Sequence, residues 1–175
     1  EWYQGPGSIP DDVSRRIIKR FGIGWWSFRL ALFGYAEAVG AHARVVRRAL
    51  EPHLKKGLVF DIWHRGEPLE KSAAPRPNVL ALQIVNWFGG RGGHIGSSPV
   101  MPPAGTVAPE QFHRMKARFE QFGLDYYTSF TMGQRHINNV NLILYNRDDA
   151  AMVDNARALF RTLVADARER GYGEY

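Results

Sequence analysis

The chain contains no cysteine. That excludes a disulfide framework and every thiolate metal site, and it agrees with a reducing compartment. No apolar run is long enough to span a bilayer, so no membrane partner is expected. Neither a GxGxxG nor a Walker-type phosphate loop is present, and GGRGG at 89–93 is the nearest approach to one. His64, His94, His113 and His136 are scattered, without the spacing of a metal-binding helix or loop, so no metal is expected. The strand signature of RNA-recognition sheets is also missing, which argues against a nucleic-acid partner. Finally, the chain does not open on methionine. It begins at Glu1-Trp2-Tyr3 and stops at Tyr175 inside GYGEY, and so it reads as a piece of a longer polypeptide.

What is present is a core. A hydrophobic content of 45% and an aromatic content of 13% exclude a disordered chain, and 175 residues suffice for one large domain or two small ones. The net charge of +6 gathers in Arg15, Arg16, Lys19 and Arg20 and again in Arg44, Arg47, Arg48, Lys55 and Lys56. Both runs alternate with apolar residues and read as the solvated faces of helices. An acidic partner or nucleic acid is the sharper reading of the same pattern.

The order of elements gives the fold class. IPDDVSRRIIKRFG reads as a helix with acidic residues at its start and Gly22 at its end. WWSFRLALFG reads as a strand, and Val39, Ala43, Val46 and Leu50 form a helical stripe. LVFDIWHRG and VLALQIVNWF read as two further strands around a polar, proline-bearing loop. HIGSSPV is a strand, followed by a helix with Pro109 in its first turn and Phe112, Met115, Phe119 and Phe122 on one side. LDYYTSFTMG and NNVNLILYN are strands. Asp148 and Asp149 open a long helix carrying Met152, Ala156, Leu159, Phe160 and Leu163, and YGEY begins a last strand. Residues 94–175 thus read βαββαβ, and 25–88 read as most of a second copy. The expectation is an α+β fold, a duplicated ferredoxin-like domain with an antiparallel sheet flanked by helices.

The stretch NWFGGRGGHIGSSPVMPP places His94 behind four glycines split by Arg91. Glycine in a strand often marks close approach by a ligand or another backbone, and Gly96 leaves the sheet face bare beside His94. A neutral imidazole is also a nucleophile. Across the chain, alternation puts Tyr126, Thr128 and Phe130 on one face and Tyr127, Ser129 and Thr131 on the other. Arg135, His136, Asn138 and Asn139 cluster at the turn into the next strand, where they either orient a substrate or cap strand ends.

Together GGHIGSSPV, YYTSFTMGQR, NNVNLILYNRDD and GYGEY, with WWSFRLALFG ahead of them, resemble the cap, or substrate, domain of the vanillyl-alcohol oxidase and 4-cresol dehydrogenase family of FAD-linked flavoproteins, eugenol oxidases included. The resemblance covers nearly the whole chain. It implies that 1–175 is a C-terminal cap domain, with 25–88 and 94–175 as its halves, and that the FAD-binding domain of the same chain lies outside these residues. In the oxidases a cap histidine, followed by a strand ending in Ser-Pro, bonds the 8α-methyl of FAD. His94, with Ser98-Pro99 after it, matches that position, and Gly92 and Gly93 would let the flat ring approach. In the cresol dehydrogenase branch a tyrosine is bonded instead, so the histidine points to the oxidase-like branch. The tyrosine of GEY binds substrate as phenolate, and Tyr175 matches it. Ser129, Arg135, His136 and Gly96 fall on the substrate side.

The implied activity is oxidation of para-substituted phenols by hydride transfer to flavin N5 through a quinone methide. The isolated piece is expected to be inactive and free of FAD. The family further implies a homo-oligomer and cytochrome c as a possible electron acceptor, in the cytoplasm or the periplasm. The other reading is a freestanding ferredoxin-like binding module for an acidic partner or a small aromatic ligand.

Overall fold

A computed structural model describes the chain except residues 1, 2, 4, 6, 23, 29, 61, 63–83 and 175. The chain divides into two compact units, Glu1–Ile23 with Val79–Tyr175, and Gly24–Asn78.

In the first unit, helix α1 (Asp11–Phe21) follows the expected punctuation. Asp11 and Asp12 lie in its first turn, and Gly22 caps its end at φ 63° with its N–H on the Ile18 carbonyl. Its leading segment is tied down by Ile9 N–H donating to Asp125 (2.7 Å) and by the Ser8 hydroxyl on the Leu124 carbonyl.

The remainder is an antiparallel sheet with two helices on one face. Strands β1 (Gly92–Ser97) and β2 (Pro99–Met101) are followed by α3 (Val107–Gln121), β3 (Tyr127–Met132), β4 (Ile137–Asn146), α4 (Ala150–Glu169) and β5 (Gly173–Glu174). β4 is central, pairing β3 on one side and β1 and β2 on the other, while β5 pairs β2. All pairs are antiparallel. Counting β1 and β2 as one strand, this is the ferredoxin-like order expected for 94–175. The register does not shift between them, because Ser97 stands opposite Asn141 and Val100 opposite Asn138. The interruption falls at Ser98, just before Pro99. Proline has no N–H to give a ladder, and the Ser98 N–H bonds the Glu174 carboxylate at 2.6 Å instead.

The core lies between sheet and helices. Met115, Phe119, Leu124, Ile143, Ala156, Leu159 and Leu163 are buried there, with Ile95, Tyr126 and Tyr145 packed against them. Phe119 stacks against Tyr126 with ring centroids 4.9 Å apart. Arg118 of α3 grips the buried Asp166 of α4 through two bonds, of 2.8 and 3.0 Å, which holds the two helices in place.

The second unit carries helix α2 (Ala36–Leu54). Val39, Ala43, Val46 and Leu50 are its half-buried stripe, as their spacing requires, but no residue of the helix is fully buried. Trp25, Trp26, Phe28, Leu30 and Phe33 are exposed and form no strand. The expectation of a strand at 25–34 is therefore corrected. Aromatic and apolar composition favours a ladder only where a second strand supplies its hydrogen bonds, and the described residues of this unit supply none. Most of LVFDIWHRG lies outside the described residues, and Leu58–Phe60 carry no strand. VLALQIVNWF is corrected too, as far as it is described: Ile84–Asn86 form one turn of 3₁₀ helix, closed by Trp87 N–H on the Ile84 carbonyl.

Candidate functional site

The two faces of the sheet differ in kind. Residues opposite one another in a ladder share a face. Ile137, Asn139, Asn141 and Ile143 of β4 meet the helices with Thr128, Phe130, Ser97 and Ile95. Asn138, Val140, Leu142 and Leu144 face the other way, with His94, Gly96, Val100, Tyr127, Ser129 and Thr131. This second face, here called the open one, has His94, Gly96, Tyr127, Ser129 and Thr131 exposed, while Leu144 on it is buried.

His94 stands on it, exposed, opposite the buried Leu144. Among the described residues its imidazole has no hydrogen-bond partner. Gly96 follows on the same face, and a side chain built there would meet nothing within 4 Å. Gly96 also lacks a positive φ. Neither packing nor backbone conformation therefore requires glycine at this position.

The other glycines have internal reasons. Gly89 and Gly90 take φ 72° and 63°, which turn the chain back toward the sheet. A side-chain carbon at Gly90 would overlap the Asn146 amide, and one at Gly92 would overlap the Val85 carbonyl. At Gly93 it would stand 2.8 Å from the Tyr145 ring. Asn86 accepts from Gly92 N–H at 3.2 Å, and the Trp87 indole donates to Asp125 at 2.7 Å. Arg91 closes the clasp. Its guanidinium reaches Asp148 at 2.7 and 2.8 Å, and its carbonyl accepts from Arg147 N–H at 2.9 Å. The Arg91 guanidinium holds the Asp148 carboxyl below the usual carboxylate range. So the space at Gly92 is filled by the chain's own turn and that at Gly93 by the Tyr145 ring, Arg91 is engaged by a carboxylate, and only Gly96 leaves room beside His94.

The remaining expected residues spread along the same face. Gly96 lies two residues from His94, about 7 Å. Ser129 is exposed opposite Val140, four rows along β4 from Leu144 and across one further strand, about 17 Å from His94. Arg135 and His136 are exposed at the β3–β4 hairpin tip, where the His136 backbone carbonyl accepts from Gly133 N–H at 2.9 Å. That tip is about 27 Å along β4 from the row of His94, so these two residues do not join the histidine. Tyr175 lies outside the described residues.

Sequence reading missed what lies beneath. Asn139 and Asn141 are both 0% exposed on the helix side of β4. Gln111 donates to Asn139 (3.0 Å), Asn139 donates to the Thr128 hydroxyl (2.7 Å), and Thr128 donates to Asn141 (2.8 Å). Asn141 also reaches the Ser97 carbonyl at 3.1 Å, and Asn139 the Ser129 carbonyl at 3.3 Å. The network fastens β1 and β3 to β4 from behind, directly below the rows that carry Ser98 and Ser129. Its signal was present in INNVN, where period-2 alternation puts Asn139 and Asn141 on the face of Ile137 and Ile143. Among the described residues, no group of three or more His, Asp or Glu could hold a metal ion, and no helix is long and apolar enough to cross a membrane.

No family model matches the chain. Among curated proteins it is 29% identical over 175 residues to the flavoprotein subunit of 4-cresol dehydrogenase [hydroxylating] from Pseudomonas putida, covering 97% of this chain and 33% of that protein. Among solved structures, p-cresol methylhydroxylase with substrate bound superposes with a TM-score of 0.80 at 25% identity, over 98% of this chain and 34% of the other. The isoeugenol complex of 4-ethylphenol oxidase from Gulosibacter chungangensis shares the fold, with a TM-score of 0.78 at 24% identity over 98% of this chain and 35% of that one. The chain spans about a third of the length of these relatives. By sequence and by fold together, these likenesses support a cap-like segment similar to that of the vanillyl-alcohol oxidase and 4-cresol dehydrogenase flavoproteins.

Proposed function

We propose that this segment forms the substrate side of an FAD-dependent oxidoreductase acting on para-substituted phenols, with His94 as the point of flavin attachment. The observation that carries the reading is the pairing of an exposed imidazole, without a hydrogen-bond partner among the described residues, with open space over Gly96. A flat ring system is the ligand this reading places there. It would lie along a sheet face whose neighbouring side chains, Leu142 and Val140, are apolar, with Ser129 beyond them. The names of the relatives support the substrate class, since they include a cresol dehydrogenase and an ethylphenol oxidase.

The chain's own residues would divide the work as follows. His94 anchors the cofactor at one end of the face. Gly96 keeps the adjoining surface clear. Leu142 and Val140 present a dry floor that excludes water from the ring. Ser129 offers a hydroxyl to the substrate, and Tyr175 holds the phenol as its anion. Loss of that phenolic proton pushes electron density to the para carbon and eases hydride departure. The flavin, when bound, supplies the acceptor for that hydride. Arg135 adds fixed positive charge at the far end of the face, and His136 sits beside it in the hairpin tip. The clasp of Arg91, Gly92 and Gly93 sets where β1 begins and so where His94 emerges. The activity belongs to the polypeptide that joins this segment to a flavin-binding domain.

The test is the colour of the full-length protein. Yellow absorbance that survives acid precipitation is expected of the wild type, and His94→Ala should make that flavin extractable. If wild-type flavin washes out freely under acid, the attachment is wrong.

A further inference from the structure

Among the described residues four buried polar side-chain atoms lack a hydrogen-bond partner: Nε and one terminal nitrogen of Arg114, the Tyr126 hydroxyl, and the Asn138 Oδ1. Asn138 differs from the others in its place. It stands opposite Thr131 on β3 and Val100 on β2, which puts it on the open face. The next residue, Asn139, carries the same amide, and Gln111 satisfies its oxygen at 3.0 Å. A buried carbonyl oxygen left without a donor is rare in folded proteins and calls for a specific cause. The open face supplies one, because a ligand lying on it would bring the missing donor.

The position limits which part of a ligand that is. Asn138 is six residues along β4 from Leu144, which faces His94, and so lies about 20 Å from the histidine's row. A flavin anchored at His94 with a phenol beyond it would present to Asn138 the end of the phenol remote from the flavin. Val100, on one side of Asn138, is apolar and offers no donor, and the Thr131 hydroxyl on the other side makes no bond to the Asn138 oxygen. We infer that Asn138 is a specificity-determining residue whose side-chain carbonyl accepts a hydrogen bond from a ring hydroxyl on that remote end, and so selects catechol-type rings over rings bearing a methoxy group there. A methoxy oxygen has no proton to give and would set lone pair against lone pair. The inference rests on the phenol reading and deepens it.

The experiment uses the full-length flavoprotein under anaerobic conditions, with dissociation constants read from the perturbation of flavin absorbance. 4-Methylcatechol and 2-methoxy-4-methylphenol are the probes. The wild type should bind the catechol about tenfold or more tightly. Asn138→Leu should abolish that preference by weakening the catechol alone. Asn138→Asp, which keeps an acceptor, should retain it. Equal weakening of both probes by Asn138→Leu, or a wild-type preference for the methoxy ring, overturns the inference and leaves the phenol reading standing. If the wild type binds neither probe, the phenol reading fails and the inference falls with it. Without ligand, Asn138→Leu should melt no lower than the wild type. A fall in melting temperature would reveal an internal partner for the amide and equally overturn the proposal.

Discussion

Glycines 92, 93 and 96 share one strand and one residue type but have different reasons for being glycine, and alanine at each tests that difference. At Gly96 the structure offers open space and an ordinary strand φ. Alanine there restricts the unfolded chain and meets nothing in the folded one, so it should stabilise by roughly 0.5–1 kcal/mol. For a unit of this size that raises the melting temperature by about 2–5 °C. At Gly93 the new methyl would stand 2.8 Å from the Tyr145 ring, which can tilt, so a loss of about 1 kcal/mol is expected. At Gly92 it would overlap the Val85 carbonyl, which belongs to the backbone. Relief requires moving the 84–86 turn away from β1, and a loss of about 2–3 kcal/mol or more follows. Thermal melts followed by circular dichroism give the order directly. In the full-length flavoprotein Gly96→Ala should also weaken phenol binding despite its higher melting temperature, because the methyl stands on the surface left clear for the ring. The reverse order, with Gly92→Ala tolerated and Gly96→Ala destabilising, would refute the assignment of these glycines.

Asn139→Ala should cost about 2–4 kcal/mol in a urea titration, since it strips the partners of Gln111 and Thr128 in a fully buried network. The Tyr126 phenol is pushed up to about 12 by burial. It would ionise near pH 10 once unfolded, so stability is unaffected below pH 10 and falls by roughly 2–3 kcal/mol as pH climbs from 10 to 12. Tyr126→Phe should flatten that alkaline slope. Asp148 has the opposite sign. Its folded pKa is depressed by the hydrogen bonds from Arg91, so its contribution is complete above the ordinary carboxylate range and lost as pH falls through the depressed value. The exchange protection of the Arg147 amide, which bonds the Arg91 carbonyl, should fall in acid relative to its intrinsic rate, and Asp148→Asn should remove that acid dependence.

Where the sequence carried strong local signals, the fold was legible. Gly22, Gly123 and Gly171 end their helices at φ 63°, 68° and 68°, and Asp149 caps α4 by accepting from Met152 N–H, all from cues visible in single residues. The alternation in YYTSFTM and NNVNLILYN assigned two strands whose faces the structure keeps. Trp25–Gly34 misled because composition speaks for a strand only if a partner exists, and pairing is not a local property. GGRGG misled for a related reason: a missing side chain shows that something lies close, without saying whether that is a ligand or the chain's own carbonyl. Gly96 could be separated from Gly92 only once Val85 had a position. The polar network below the sheet was readable from the spacing of Asn139 and Asn141, but the turn beside them drew the attention.

β1 pairs with β4 along one side only. Among the described residues no strand runs along its other side, because β5 reaches just Pro99 and Val100. A strand arriving there would find its register dictated by groups one residue from the imidazole, so that docking and alignment of the site would be a single event. Left uncovered, the same border would invite a neighbour's border at high concentration, and self-association would begin next to the histidine.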